Sequence, residues 1–166
     1  MAIKPIVTYP DPILKQVSTP VEHFDDSLLS IIQNMEDTMG VGPGAVGIAA
    51  PQIGVSIRAA IVDVSSRKKI THHGRLILIN PEITAWEGLK TGREGCLSVP
   101  DYTGNVVRAE KIALTAHDQF GDVHSFNMEG YEARAVQHEL DHLDGLLFLD
   151  RLVSKRNDLF QRKQKS

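Results

Sequence analysis

The chain has 166 residues, a formal net charge of −3 and a single cysteine. At this length one domain is expected, burying roughly 70 % of its unfolded surface without help from disulfides, and the slight acidity argues against a domain built wholly to bind nucleic acid. No apolar run reaches the about 18 residues that a membrane helix needs, and Met1-Ala2-Ile3-Lys4-Pro5 carries neither an apolar signal core nor an arginine-rich presequence.

Ser27 to Met39 reads as the first helix, with Leu28, Ile31, Ile32 and Met35 on one face and Gly40 beyond its end. The stretch Ala45-Val46-Gly47-Ile48-Ala49-Ala50-Pro51-Gln52-Ile53-Gly54 follows. It is not a phosphate loop, since it has neither G-x-G-x-x-G spacing nor a Lys-Ser or Lys-Thr pair. Small residues around Gly47 suggest a backbone running close against a ligand or another strand. Gln52 is its one polar side chain, either a turn residue bonding the backbone or an amide donor aimed at an oxyanion.

Strands are expected at about 57–64 and 76–79, joined by a polar loop, Ser65 to Gly74, that holds His72 and His73. Next comes Glu94-Gly95-Cys96-Leu97-Ser98. A lone cysteine is a nucleophile, a metal ligand or a small buried hydrophobe. Further strands are expected at about 106–116 and 123–126, linked through Gln119-Phe120-Gly121-Asp122 as a hairpin. His23, His72, His73, His117 and His124 have no ligand-like spacing and are assigned to the surface.

Tyr131 to Leu143 reads as a second helix, with Val136, Leu140 and Leu143 as its apolar stripe and Gly145 as its stop. It contains Gln137-His138-Glu139-Leu140-Asp141-His142. Imidazoles at i and i+4 stack on one face and can grip one metal ion. Glu139 then stands beside the ion, where it can handle the protons of a bound water. A catalytic centre of this type uses three protein ligands, and Cys96, with Gly95 freeing the backbone before it, is the best candidate for the third. From Leu152 onward the composition turns basic: Lys155, Arg156, Arg162, Lys163 and Lys165 stand against the single acid Asp158.

Three segments together resemble the peptide deformylase family, whose patterns are G-h-G-h-A-A-x-Q, E-G-C-L-S and Q-H-E-x-D-H, with h apolar. The second and third match completely; the first departs once, with Ala45 where the family has glycine. Tyr9-Pro10-Asp11-Pro12-Ile13-Leu14, Thr19-Pro20-Val21 and Gly145-Leu146-Leu147-Phe148-Leu149-Asp150-Arg151-Leu152 are also family-like, so the resemblance spans about residues 3–153. It implies one compact α+β domain, with antiparallel or mixed sheets around a central metal-binding helix and further helices at the N- and C-termini. Residues 1–153 would be the catalytic unit and 154–166 a basic helical tail of the same domain.

The resemblance also implies roles. Cys96, His138 and His142 would bind the metal, ferrous iron in the cell, with zinc, nickel or cobalt able to replace it. Glu139 would serve as general base and acid, and the Gln52 amide with the Leu97 N–H would stabilise the oxyanion. The substrate is an N-formylmethionyl peptide, its methionine lined by Val46, Gly47, Tyr131 and Ala135. Glu94 and Arg108 would pair beside the site. Many relatives carry an arginine just after E-G-C-L-S-x-P; here Asp101-Tyr102-Thr103-Gly104-Asn105 has none. The basic tail is either a solvated terminus or a docking element for the ribosome, drawn to RNA phosphate. No membrane or DNA partner is expected, and the lone reduced cysteine suits the cytoplasm; a mature organellar chain would read the same.

At Ala45, a positive φ would cost alanine on the order of 1 kcal/mol, whereas at ordinary φ the methyl only fills space. An active enzyme is expected. Two rivals make different demands. A metalloprotease would need a downstream His or Glu, but after His142 only Asp144, Asp150 and Asp158 are available. A cysteine hydrolase would use Cys96 as nucleophile and ignore chelators.

Overall fold

A computed structural model describes residues 2–42 and 44–162. Helix α1 (Asp26–Gly40) starts where the Asp25 carboxylate accepts the Leu28 N–H, satisfying one of the free amides of the first turn. Its buried face is Leu28, Ile32, Met35 and Thr38, nearly the stripe expected; Ile31 is only half-buried. The strands are β1 (Gly47–Ala49), β2 (Ala59–Val62), β3 (Leu76–Cys96), β4 (Val99–His117) and β5 (Val123–Glu129), followed by helix α2 (Gly130–Leu143) and strand β6 (Leu159–Gln161).

The strands form one antiparallel sheet in the order β1-β2-β3-β4-β5, with β6 added against the far end of β4. Among the described residues the parallel pairing is an isolated bridge, Thr19 with Ile57. β3 and β4 make a long hairpin that closes at Cys96 opposite Val99, so Leu97 and Ser98 form its tip. The hairpin turn expected at Gln119–Asp122 is present, with Asp118 Oδ1 accepting the N–H groups of Phe120 and Asp122.

Among the described residues the larger apolar clusters lie in these places, with a small one of Ala49, Ala60 and Leu143 between β1, β2 and α2. α1 packs on β1 and β2 through Ile32, Met35, Ile48 and Ile61. α2 packs on β2 to β5 through Val136 and Leu140 against Val62, Leu78, Leu114 and Met128. Beneath the hairpin tip lie Leu14, Cys96, Val99, Val106, Leu147 and Phe148. Each fully buried Leu, Ile or Phe here contributes roughly 1.5–3 kcal/mol. Gly145 ends α2 with φ 76°, and Gly145 and Leu146 return N–H bonds to His142 and Asp141, the left-handed stop read from the sequence.

Two expectations are corrected. The described part of the tail is not helical: Leu152 bridges to Val106, residues 155–157 form a turn, and Leu159–Gln161 adds to the sheet edge at Tyr102–Gly104. The open edge of β4 offers backbone partners that a short solvated helix lacks. Lys163 and Lys165 lie outside the described residues. Nor are all the remaining histidines idle surface groups. His117 is half-buried with its ring 5.6 Å from that of Phe24; His73 is at the surface as expected, though its Nδ1 meets the buried Glu132 carboxylate at 2.6 Å. No helix among the described residues is long and apolar enough to cross a membrane.

Candidate metal centre

α2 is buried on almost every side, which places the two halves of its motif against different neighbours. Gln137 faces β4: its Nε2 donates to the Ala109 carbonyl at 2.9 Å and its Oε1 accepts the Ala109 N–H at 3.0 Å. That reciprocal pair pins the helix to the strand and sets its rotation. His138, Glu139 and His142 then point toward the hairpin tip and β1.

Cys96, His138 and His142 come together there, with one ligand atom from each within 4.8 Å of the others. Cys96 Sγ lies 3.3 Å from His142 Nε2. These are the separations that an ion held by bonds of about 2.0–2.3 Å requires. His138 directs Nδ1 to Glu94 Oε1 at 2.9 Å, which leaves Nε2 for the ion and fixes the ring. Burial would push the Cys96 thiol up, but the charge of His142 and hydrogen bonds from both histidines hold it well below the usual thiol range. Burial would likewise depress His138, yet its bonds to Cys96 and Glu94 raise it. A thiolate between two imidazoles is the donor chemistry a divalent transition metal takes. The residues fit such an ion: the chain carries a Cys-His-His metal-binding triad.

Glu94 is the hub behind the triad. Its carboxylate accepts from Arg108 Nε and Nη2 at 2.9 Å each, from Arg134 Nη1 at 2.7 Å and from His138. Although burial disfavours its charge, Arg108 and then His138 hold Glu94 well below the usual carboxylate range. Arg108 in turn donates to Asp141, which also receives Arg151. The Glu94–Arg108 pair was implied by the family resemblance, whereas Arg134, Asp141 and Arg151 were missed. Gly92 was the available signal for Arg134, because a methyl there would meet the Arg134 guanidinium.

Gln52 is buried beside the thiolate. Its Oε1 accepts the Ala49 N–H at 2.9 Å, which forces Nε2 toward the site, 3.1 Å from Ser98 Oγ and 3.5 Å from Cys96 Sγ. Ser98 was also missed; it sits at the hairpin tip and the sequence motif carried it unremarked. Glu139 is 4 % exposed, and its Oε1 has no hydrogen-bond partner among the described residues. Burial raises its carboxyl above the ordinary range, opposed by the neighbouring histidines. Gly47 is what lets Glu139 stand here: a methyl at Gly47 would run into Oε2 and lie 3.0 Å from Cδ.

Val46, Tyr131 and Ala135 share one apolar cluster against α2, with Gly47 at its border with Glu139. Tyr131 is also covered by Arg67, whose guanidinium carbon is 4.6 Å from the ring centroid. Ala45 is absent from the positive-φ residues, so its methyl carries no left-handed strain; it packs beside Gly42, itself against Leu97. A separate groove of about 430 Å³ runs along the opposite side of α2, lined by Arg58, Trp86, Leu140 and Arg151, and none of the three ligands borders it.

Comparison with known proteins gives one answer. The family model described as polypeptide deformylase matches residues 3–158. A peptide deformylase of Acidobacterium capsulatum is 44 % identical over 165 residues, covering 98 % of this chain and 94 % of its own. The crystal structure of a peptide deformylase from Legionella pneumophila superposes with a TM-score of 0.85 at 44 % identity, over 93 % of this chain and 89 % of that one. The enzyme from Thermotoga maritima gives the same TM-score at 35 % identity, over 93 % and 100 %.

Proposed function

Because the chain belongs to the peptide deformylase family, metal-dependent hydrolases of linear amides, we propose that it removes the N-formyl group from the formylmethionine of nascent polypeptides and releases formate. The observation that carries this reading is the buried Cys96-His138-His142 set faced by a buried carboxylate, Glu139, and a buried amide, Gln52. Bound there, the metal ion supplies acidification of a water and a Lewis-acid pull on the formyl carbonyl. Glu139 takes the proton of the attacking water and returns it to the leaving amine, a transfer suited to a carboxyl that burial has made more basic. Gln52 Nε2 and the Leu97 N–H donate to the oxyanion. Because the Ala49 N–H already holds the other end of the Gln52 amide, little reorganisation is needed. Val46, Gly47, Tyr131 and Ala135 receive the methionine side chain.

Protein purified without oxygen should release formate from formyl-Met-Ala-Ser, lose that activity to a chelator and regain it on reloading with a divalent metal. We assign ferrous iron as the cellular ion, so exposure to air should shorten the active lifetime. Equal lifetimes in air and under argon would rule iron out. Activity that resists chelation but falls to thiol alkylation would instead identify a cysteine hydrolase.

The same reading places the protein in the bacterial cytoplasm, working on chains as they leave the ribosome. Lys155, Arg156 and Arg162 are exposed on the described tail, and Lys163 and Lys165 follow. Ribosome association should therefore weaken as salt rises and fall when residues 155–166 are deleted. A deletion that leaves low-salt association intact would remove the ribosome from the account.

A further inference from the structure

Thr103 lies within the stretch after E-G-C-L-S-x-P that lacks an arginine, and it pairs with Gly95, the residue before the metal ligand. A methyl at Gly95 would lie 3.4 Å from Thr103 Cγ2, so position 103 points across the Gly95 backbone. The same spot is filled by the guanidinium of Arg162. Its Nη2 would collide with that methyl, and its Cζ lies 3.4 Å from it. Arg162 gets there because β6 pairs with Tyr102–Gly104 and the Arg162 N–H donates to the Asp101 carbonyl at 2.8 Å. From that register its side chain crosses β4 and reaches β3. Arg93 crosses in the opposite direction, with its guanidinium carbon 3.9 Å from the Phe160 ring centroid, so two arginines bind β6 to the hairpin tip.

Gly95 is exposed, whereas Cys96, Ser98, Gln52 and His142 are buried. A polypeptide whose first residue reaches the buried centre must leave it past exposed neighbours, and Gly95 is one of them. The cation beside that exposed neighbour comes from the C-terminal strand. We propose that Arg162 is a substrate-positioning residue whose guanidinium, lying over Gly95, donates hydrogen bonds to the peptide downstream of the methionine. This rests on the deformylase reading of the site. A planar fork of five N–H donors serves backbone carbonyls as well as carboxylates. An acidic side chain two residues after the methionine therefore gains most, and the gain fades with salt.

The test compares native protein and Arg162→Ala at low salt on formylmethionine amide, formyl-Met-Ala-Ser and formyl-Met-Ala-Asp. In the variant KM should rise about tenfold for the two tripeptides, more for the acidic one, with kcat unchanged. Formylmethionine amide should be processed as before. Adding Thr103→Arg to the alanine variant should recover much of the loss. Arg162→Gln, which keeps the aliphatic stem on the hairpin, gives the same split if alanine loosens β6. An equal loss on all three substrates would mark a structural role and overturn the proposal, as would unchanged KM on the tripeptides. No formate from the native protein on any of them would bring down the deformylase reading itself, and this inference with it.

Discussion

Replacing Glu139 with glutamine is expected to lower kcat for deformylation by about 10²- to 10⁴-fold, the range of a positioned general acid–base group. Glutamine keeps the length and shape that Gly47 accommodates, so the metal triad should stay filled and the fold intact. What it lacks is a basic oxygen. In the native protein that oxygen is Glu139 Oε1, buried and without a hydrogen-bond partner among the described residues. An oxygen so placed costs stability unless something uses it, and a proton in transit between water and the leaving amine is such a use. Steady-state kinetics with metal content measured in parallel would check this. A variant with full metal and near-native kcat would take Glu139 out of the chemistry.

Replacing Gln52 with leucine should cost about 10²- to 10³-fold in kcat with little change in KM, since the amide serves the oxyanion more than the ground-state carbonyl. It should also lower stability by about 1–3 kcal/mol, because the buried Ala49 N–H loses its acceptor at 2.9 Å. The two effects are read separately, by kinetics and by the urea midpoint. A stability loss with unchanged kcat would make Gln52 a structural turn residue, the plainer of the two roles its sequence context allowed.

Where burial and pattern coincide, the fold was legible from sequence. α1 and α2 fall within one residue of their expected ends, because each carries an apolar stripe; Gly145 is the stop of α2, whereas Gly40, expected beyond α1, is its last helical residue. β3 was read as four residues and runs to Cys96. Its second half, Glu82 to Arg93, is mostly exposed, with Trp86 and Leu89 themselves open to solvent. Its ladder to β4 holds that stretch, and apolar alternation does not report a ladder. β1 and β6, at three residues each, are too short to carry a period. The two histidine ligands were legible because their spacing on α2 is local and their chemistry narrow, whereas Cys96, at the end of β3, was joined to them only through its own motif. The ion network behind the triad was not legible: Arg134 and Arg151 are ordinary helix and turn arginines until the fold brings them to Glu94 and Asp141.

The hairpin tip that carries Cys96 also governs the order in which the centre can be built. β3 and β4 close from one tight turn, and α2 forms on its own backbone bonds, so each assembles through near neighbours in the chain. Sulfur and imidazole lie 46 residues apart and meet only when these two local units dock. Closing that distance is a non-local step, the slow kind in folding. The Gln137–Ala109 pair and the bridges from Arg108 to Asp141 and from Arg134 to Glu94 span the docked surfaces. An ion held by all three of these ligands would thus report a finished molecule, and a chain that has not docked offers it only isolated sulfur or nitrogen.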